Sequence, residues 1–176
     1  MRSEFEDQYD HVHFEGEERI RGEILKTPIR GLEPFAPICV TAETSVAEVI
    51  RRIVKSKGHT AACVVDDAGR LVGLLTERDV LTRVIGNSRA PESLPVGDVM
   101  TPDPEALGPM DTAAFALNRM ATRGFRTIPV VDDAEKPIGI LFTRHFVRFI
   151  VSLFRKATMN LPPDQELKHP DQIHGG

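Results

Sequence analysis

Cys63-Val64-Val65-Asp66-Asp67-Ala68, followed by Gly73-Leu74-Leu75, reads as a buried strand, a turn and a second strand. The chain writes this phrase again 66 positions later, as Pro129-Val130-Val131-Asp132-Asp133-Ala134 and then Gly139-Ile140-Leu141. Arg78 returns as Arg144 in the same frame. Internal repetition fixes the unit from which a fold is built. Two copies, rather than many, favour a closed pseudo-symmetric pair over an open solenoid.

Working outward, each copy carries the same flanks. In the first, Ile38–Thr41 is extended and Ser45 caps a helix whose Val46, Val49, Ile50, Ile53 and Val54 share a face; Gly58 stops it. Ala61–Val65 and Leu71–Leu75 are the strands, joined by a turn at Asp66–Arg70, and Thr76 opens a helix through Ile85. In the second copy Ala106-Leu107 is the lead strand, and Thr112 caps a helix with Ala113, Ala116, Leu117, Met120 and Ala121 on its inner face. Thr127–Val131 and Ile138–Leu141 form the strand pair, and Thr143–Leu153 closes the unit. The first helices align only if copy one holds an extra residue near Lys55–Gly58.

This divides the chain into an acidic arm with a short helix near Glu17–Lys26 (1–35), repeat one (36–90), a linker marked by Pro91 and Pro95 with repeat two (91–154), and a polar, loosely draped tail (155–176). The fold class is α+β, each repeat running β-α-β-β-α. A three-strand sheet covered by two helices leaves one face bare, so the two repeats are expected to pack through their sheets with pseudo-two-fold symmetry. Ligands favour the clefts such a junction leaves.

Composition narrows the function. A net charge of −4 offers no basic footprint, so nucleic acid is not an expected partner. No apolar run reaches the length of a membrane span, and the first twenty residues lack the basic-then-apolar order of a signal peptide. Two cysteines without metal-ligand spacing, Cys39 and Cys63, fit a reducing cytoplasm. Cys63 reads as a small buried hydrophobe. His11-x-His13 lacks a third metal ligand, and Asp66-Asp67 and Asp132-Asp133 sit where a strand must turn.

The element order, with a strand ending in Val-Val-Asp and a later Gly-apolar-apolar-Thr-x-x-Asp, resembles the CBS domain, named from cystathionine β-synthase. The similarity covers roughly residues 36–152, and Gly73-Leu74-Leu75-Thr76-Glu77-Arg78-Asp79 matches the family's ligand motif in full. The resemblance implies that Thr76 binds phosphate and Asp79 the two ribose hydroxyls. Repeat two would complete that cleft, with Glu105, Ala106 and Leu107 along the adenine and Arg126 and Thr127 at the phosphate. The chemistry suits these roles: a carboxylate only accepts hydrogen bonds, as a vicinal diol requires, and a guanidinium clamps phosphate oxygens in pairs. The second cleft departs from the pattern. Phe142 stands for the hydroxyl, His145 for the acid, and Thr60 and Ala61 bring no cation.

The resemblance therefore implies a stand-alone regulatory module with one working cleft for AMP, ATP or another adenosyl ligand, no metal requirement, a homodimeric assembly and an unidentified target protein. No nucleophile–base pair or P-loop accompanies it, so it is read as a non-enzyme. Two rivals remain: a scaffold of the same fold that binds no ligand, and a nucleotide hydrolase. Thr76-x-x-Asp79 also fits a plain helix cap.

Overall fold

The duplicated apolar runs are strands. This is a computed structural model, and it describes Glu18 and residues 21–159, with side chains as far as Phe154. His11-x-His13 and residues 160–176 lie outside the described residues. Helix α1 (residues 21–26) leads into a 3-10 turn, Ile29–Leu32. Strand β1 (Cys39–Val40) precedes α2 (Val46–Lys55), whose N-cap Ser45 accepts from the Glu48 amide. Strands β2 (Ala61–Val65) and β3 (Leu71–Thr76) form the first hairpin. A short helix, α3 (Glu77–Asp79), continues through a π-helical stretch, Val80–Val84, and a 3-10 turn, Ile85–Asn87.

Strand β4 (Thr101–Pro102) follows, and repeat two is then built alike, from α4 (Ala113–Arg123) capped by Thr112, β5 (Thr127–Val131), β6 (Pro137–Phe142) and α5 (Thr143–Met159). Helix α5 extends six residues beyond its expected end, into the stretch read as tail. Both hairpins shift register at the same place, Val64/Val65 and Val130/Val131. Both turns are held by one aspartate. Asp66 Oδ1 accepts from the Ala68 and Arg70 amides, and Asp132 Oδ1 from those of Ala134 and Lys136, which is the turn role expected of them.

The first sheet has the order β1-β2-β3-β4, with β1 parallel to β2 and the other pairs antiparallel. The β5–β6 hairpin has the same neighbours in miniature: Leu107 bridges Val130 in parallel and Phe35 bridges Ile140 antiparallel. The sheets are thus closed crosswise. Strand β4 lies just ahead of repeat two yet edges repeat one's sheet, and Phe35 lies ahead of repeat one yet edges repeat two's.

The segments leading to these crossings are themselves repeated. Ile29 and Leu32 are buried in the second core, Val96 and Val99 in the first. Ile29 N–H donates to the Asp111 carbonyl and Val96 N–H to that of Thr44; Arg30 N–H donates to Pro109 and Gly97 N–H to Ala42. Equivalent donors, and equivalent acceptors, are 67 residues apart, the early offset that the extra residue after α2 demands. Residues 29–35 therefore belong to the folded body, because two buried apolar side chains outweigh the polar character of their surroundings. A third cluster, Ala61, Cys63, Leu74, Ile140 and Phe142, joins the two sheets, with Phe35 and Leu71 packed against it. Burial pushes the Cys63 thiol up to about 12, the behaviour of a small hydrophobe.

Candidate functional site

Strand β3 ends where its chain must enter a helix, and Thr76 stays extended to cap it. The Thr76 hydroxyl accepts from Asp79 N–H at 3.3 Å, while Asp79 Oδ2 accepts from Thr76 N–H at 2.9 Å and from the Thr76 hydroxyl at 2.6 Å. The two side chains form a reciprocal capping box. Asp79 is buried, and its Oδ1 lies 3.5 Å from Arg83 Nε. That long contact leaves Oδ1 as the acceptor an incoming hydroxyl would meet first; reaching Oδ2 means displacing the threonine.

The other expected contacts lie on repeat two. Leu107 is buried, its N–H donating to the Pro129 carbonyl at 3.0 Å and its own carbonyl accepting from Val131 at 2.9 Å. Ala106 beside it is half-buried. Glu105 Oε1 lies 3.0 Å from Arg119 Nε on α4, whose guanidinium sits 4.9 Å over the Phe115 ring. Arg126 is exposed, and its carbonyl accepts from Thr143 N–H at 3.2 Å; Thr127 is paired with Phe142. The structure brings Thr76 and Asp79 together and anchors Arg126 and Thr127 to repeat two's own hairpin. Among the described residues, no hydrogen bond joins these two groups.

The equivalent turn in repeat two keeps the backbone and changes the chemistry. Phe142 N–H donates to His145 Nδ1 at 2.8 Å, so an imidazole nitrogen takes the cap position that the Asp79 carboxylate holds in repeat one. The Phe142 carbonyl lies 3.1 Å from the same nitrogen, but the closer N–H needs a lone pair there, which assigns the ring proton to Nε2. His145 is buried, and burial first, then the charges of Arg144, Arg148 and His59, hold its pKa below the ordinary imidazole value against the opposing pull of the Phe142 carbonyl, 3.1 Å from Nδ1.

Around His145 stand groups from both repeats. The Phe35 ring meets it edge-on at 4.7 Å and Phe142 stacks on it at 5.7 Å. His59 lies 5.3 Å from Phe35, its Nε2 2.7 Å from the Ala36 carbonyl. The Arg144 guanidinium lies 4.4 Å over Phe142 and 5.0 Å over Phe35. Thr60 brings no cation here, but Arg144 does, from the helix start. Sequence reasoning missed Phe35 and His59 in this cluster, and noted Arg144 only as a recurrence. The doubled Pro-apolar-x-x-apolar phrase at Pro28-Ile29…Leu32 and Pro95-Val96…Val99 is a signal that would place Phe35 inside the fold.

A family model described as CBS domain matches residues 29–86 and 96–152, two starts 67 residues apart like the crossing segments. The meiotically up-regulated gene 70 protein of Schizosaccharomyces pombe is 33% identical over 158 residues, covering 85% of this chain and 20% of that protein. The chain spans about a fifth of the length of the first curated relatives it matches. Among solved structures, CBSX2 in complex with AMP is 28% identical with a TM-score of 0.56, over 74% of this chain and 96% of that one. The CBS domain pair of protein MJ0100, in complex with 5′-methylthioadenosine and S-adenosyl-L-methionine, shares the fold at 21% identity and a TM-score of 0.63, over 70% and 98% of the respective chains. No described helix is long and apolar enough to cross a membrane.

Proposed function

The chain belongs to the CBS domain family, and from that premise we propose that it is a regulatory module binding an adenine nucleotide, AMP or ATP, in the crevice furnished by Thr76 and Asp79. One observation carries this reading. On two backbones folded alike, the first turn has the hydroxyl and acid that a phosphorylated ribose needs, and the second has Phe142 and His145. A shared scaffold with unshared chemistry points to one nucleotide cleft. The AMP complex of CBSX2 supports the choice of ligand class.

In this reading the ribose diol donates to Asp79, whose carboxylate only accepts. Phosphate lies by the Thr76 hydroxyl and the helix-start amides, and Arg126 forks its oxygens from repeat two. Glu105, Ala106 and Leu107 border the base. A nucleotide held by both repeats changes their relative angle, by no more than its difference in affinity for the two arrangements. The module performs no chemistry of its own, works in the cytoplasm and pairs with a second copy.

Thermal denaturation with AMP and with ATP tests this. Ligand at a hundred times its dissociation constant adds about 2.7 kcal/mol to the folded state. Asp79→Ala is expected to weaken binding at least tenfold, and His145→Ala to leave it nearly intact. Equal losses overturn the assignment of clefts. A second reading, a scaffold of the same fold, is favoured by the mutual capping of Thr76 and Asp79, which satisfies both without a ligand. No stabilisation by either nucleotide up to millimolar concentration decides for it. Release of ADP or phosphate from ATP with magnesium would reveal a hydrolase instead.

A further inference from the structure

Repeat one supplies a reference for the surface of repeat two. Leu25, Met110 and Phe115 are 52%, 62% and 42% exposed, and they stand on one strip of backbone. Thr27, two residues after Leu25, accepts from Ala113 N–H at 2.8 Å, while Ile29 and Arg30 donate to the Asp111 and Pro109 carbonyls on either side of Met110. Phe115 follows in the first turn of α4. At the 67-residue offset, repeat one carries Glu92, Glu43 and Glu48 in their places. The equivalent bonds are all present there, including that from Val46 N–H to the Leu94 carbonyl at 2.9 Å. The fold thus accepts acids on this strip with its bonds intact. Even the next arginine is shared: Arg52 pairs with Glu48 at 3.0 Å, whereas Arg119 lies 4.9 Å over the Phe115 ring. Single exposed apolar residues are ordinary, but three on one strip, where the sister strip has three acids, mark a surface that something covers.

We propose that residues 1–17 of the same chain dock on this strip. They join the molecule beside it, Phe14 standing eleven residues before Leu25. Phe5, Tyr9 and Phe14 are three aromatics within ten residues, in a chain that is 6% aromatic. A segment that only solvates is poor in aromatics. Among them stand Glu4, Glu6, Asp7, Asp10, Glu15 and Glu17, opposed by Arg2. On the strip Lys26 and Arg30 are exposed and hold no ion pair among the described residues; the acids beside them are Glu23 and Asp111, and Asp111 is engaged by Gly108 N–H. Acid on the arm meets base on this strip, while Glu92, Glu43 and Glu48 would repel the same arm from repeat one's. Attachment makes a weak contact sufficient. A short tether holds the arm at about millimolar effective concentration, so a contact that a free peptide makes with a dissociation constant of about 1 mM is half formed. The proposal does not rest on the nucleotide reading.

Tyr9 is the chain's one tyrosine and there is no tryptophan, so intrinsic fluorescence reports on the arm in the intact protein. Acrylamide, a neutral quencher that the arm's charge does not bias, should quench Tyr9 at least twofold less than it quenches N-acetyltyrosinamide. That protection should be equal from tens of micromolar protein down to about 1 µM, as a tethered contact requires. Met110→Glu with Phe115→Glu installs the acids that the fold already carries as Glu43 and Glu48. The double variant should quench like the free amide, with its far-ultraviolet circular dichroism unchanged. Val54→Glu, at an exposed apolar position on α2 of repeat one, should leave Tyr9 as protected as in the parent. A parent that quenches like the free amide overturns the proposal. So does protection that survives the double variant, which puts the arm elsewhere, or protection that fades on dilution, which makes the cover a second copy.

Discussion

His145 carries a pH signature that separates its cap role from its neighbours' contributions. Buried among Phe35, Phe142 and the cations Arg144, Arg148 and His59, its folded pKa lies below the ordinary 6.5. A proton on Nδ1 would also end the bond from Phe142 N–H. The unfolded chain therefore takes up a proton near 6.5 that the folded chain refuses. Above that pH both forms are neutral and the contribution is constant; as the pH falls below 6.5, stability is lost until the folded pKa is reached. The slope is at most on the order of 1 kcal/mol per pH unit. Denaturant midpoints at pH 7.5 and 5.5 should drop for the parent and drop less for His145→Asn. A variant as acid-sensitive as the parent would show that His145 does not carry the effect.

At the scale of elements, the crossing segments explain the glycine that opens each site motif. Pro34 crosses Gly139 and Met100 crosses Gly73, so the missing side chain makes room for protein. A Cβ on Gly139 would stand 2.9 Å from Pro34 Cβ, part of a rigid ring in a segment pinned by Phe35's two bonds to Ile140. On Gly73 it would strike the Met100 thioether, which can swing aside. Gly139→Ala is thus expected to cost about 1–3 kcal/mol and Gly73→Ala less, read as shifts of the denaturation midpoint. The reverse order would mean that the crossing segments yield more easily than their packing implies. These segments also mark what the sequence left unread. The hairpins were legible because Val-Val-Asp and the apolar runs set strand and turn locally, and Ser45 and Thr112 announced their helices. Strand β4 and the Phe35 bridge span two residues and one, too short for any periodicity, and their partners lie across the molecule. Likewise the mutual cap of Thr76 and Asp79 was legible from their spacing on one turn, whereas Phe35, His59 and Arg144 meet only through tertiary packing.

For the whole molecule, the internal symmetry extends to the surface. Leu81 and Ile85, on the stretch following α3, are 64% and 58% exposed; Val147 and Val151, 66 residues on in α5, are 57% and 50% exposed. The two matched apolar pairs, each spaced four residues apart on a helical turn, occupy equivalent positions on the two repeats. In an isologous contact between identical chains, one pair would meet the other across the axis, residue for residue. The proposed homodimer would bury both pairs. Sedimentation should then give about twice the 19.5 kDa of one chain, and Leu81→Asp with Val147→Asp should weaken association at least tenfold by burying unpaired charge, with the circular dichroism unchanged. A parent that stays monomeric at tens of micromolar removes the dimer, and a double variant that still pairs moves the contact elsewhere. Because Leu81 lies two residues beyond Asp79, nucleotide and dimer would act on the same short helix. Thermodynamic linkage then makes a strict demand: the factor by which AMP changes the dimer dissociation constant must equal the factor by which dimerisation changes AMP affinity. If both factors are one, the nucleotide does not regulate through assembly, and the change of angle within one chain is left to carry the signal.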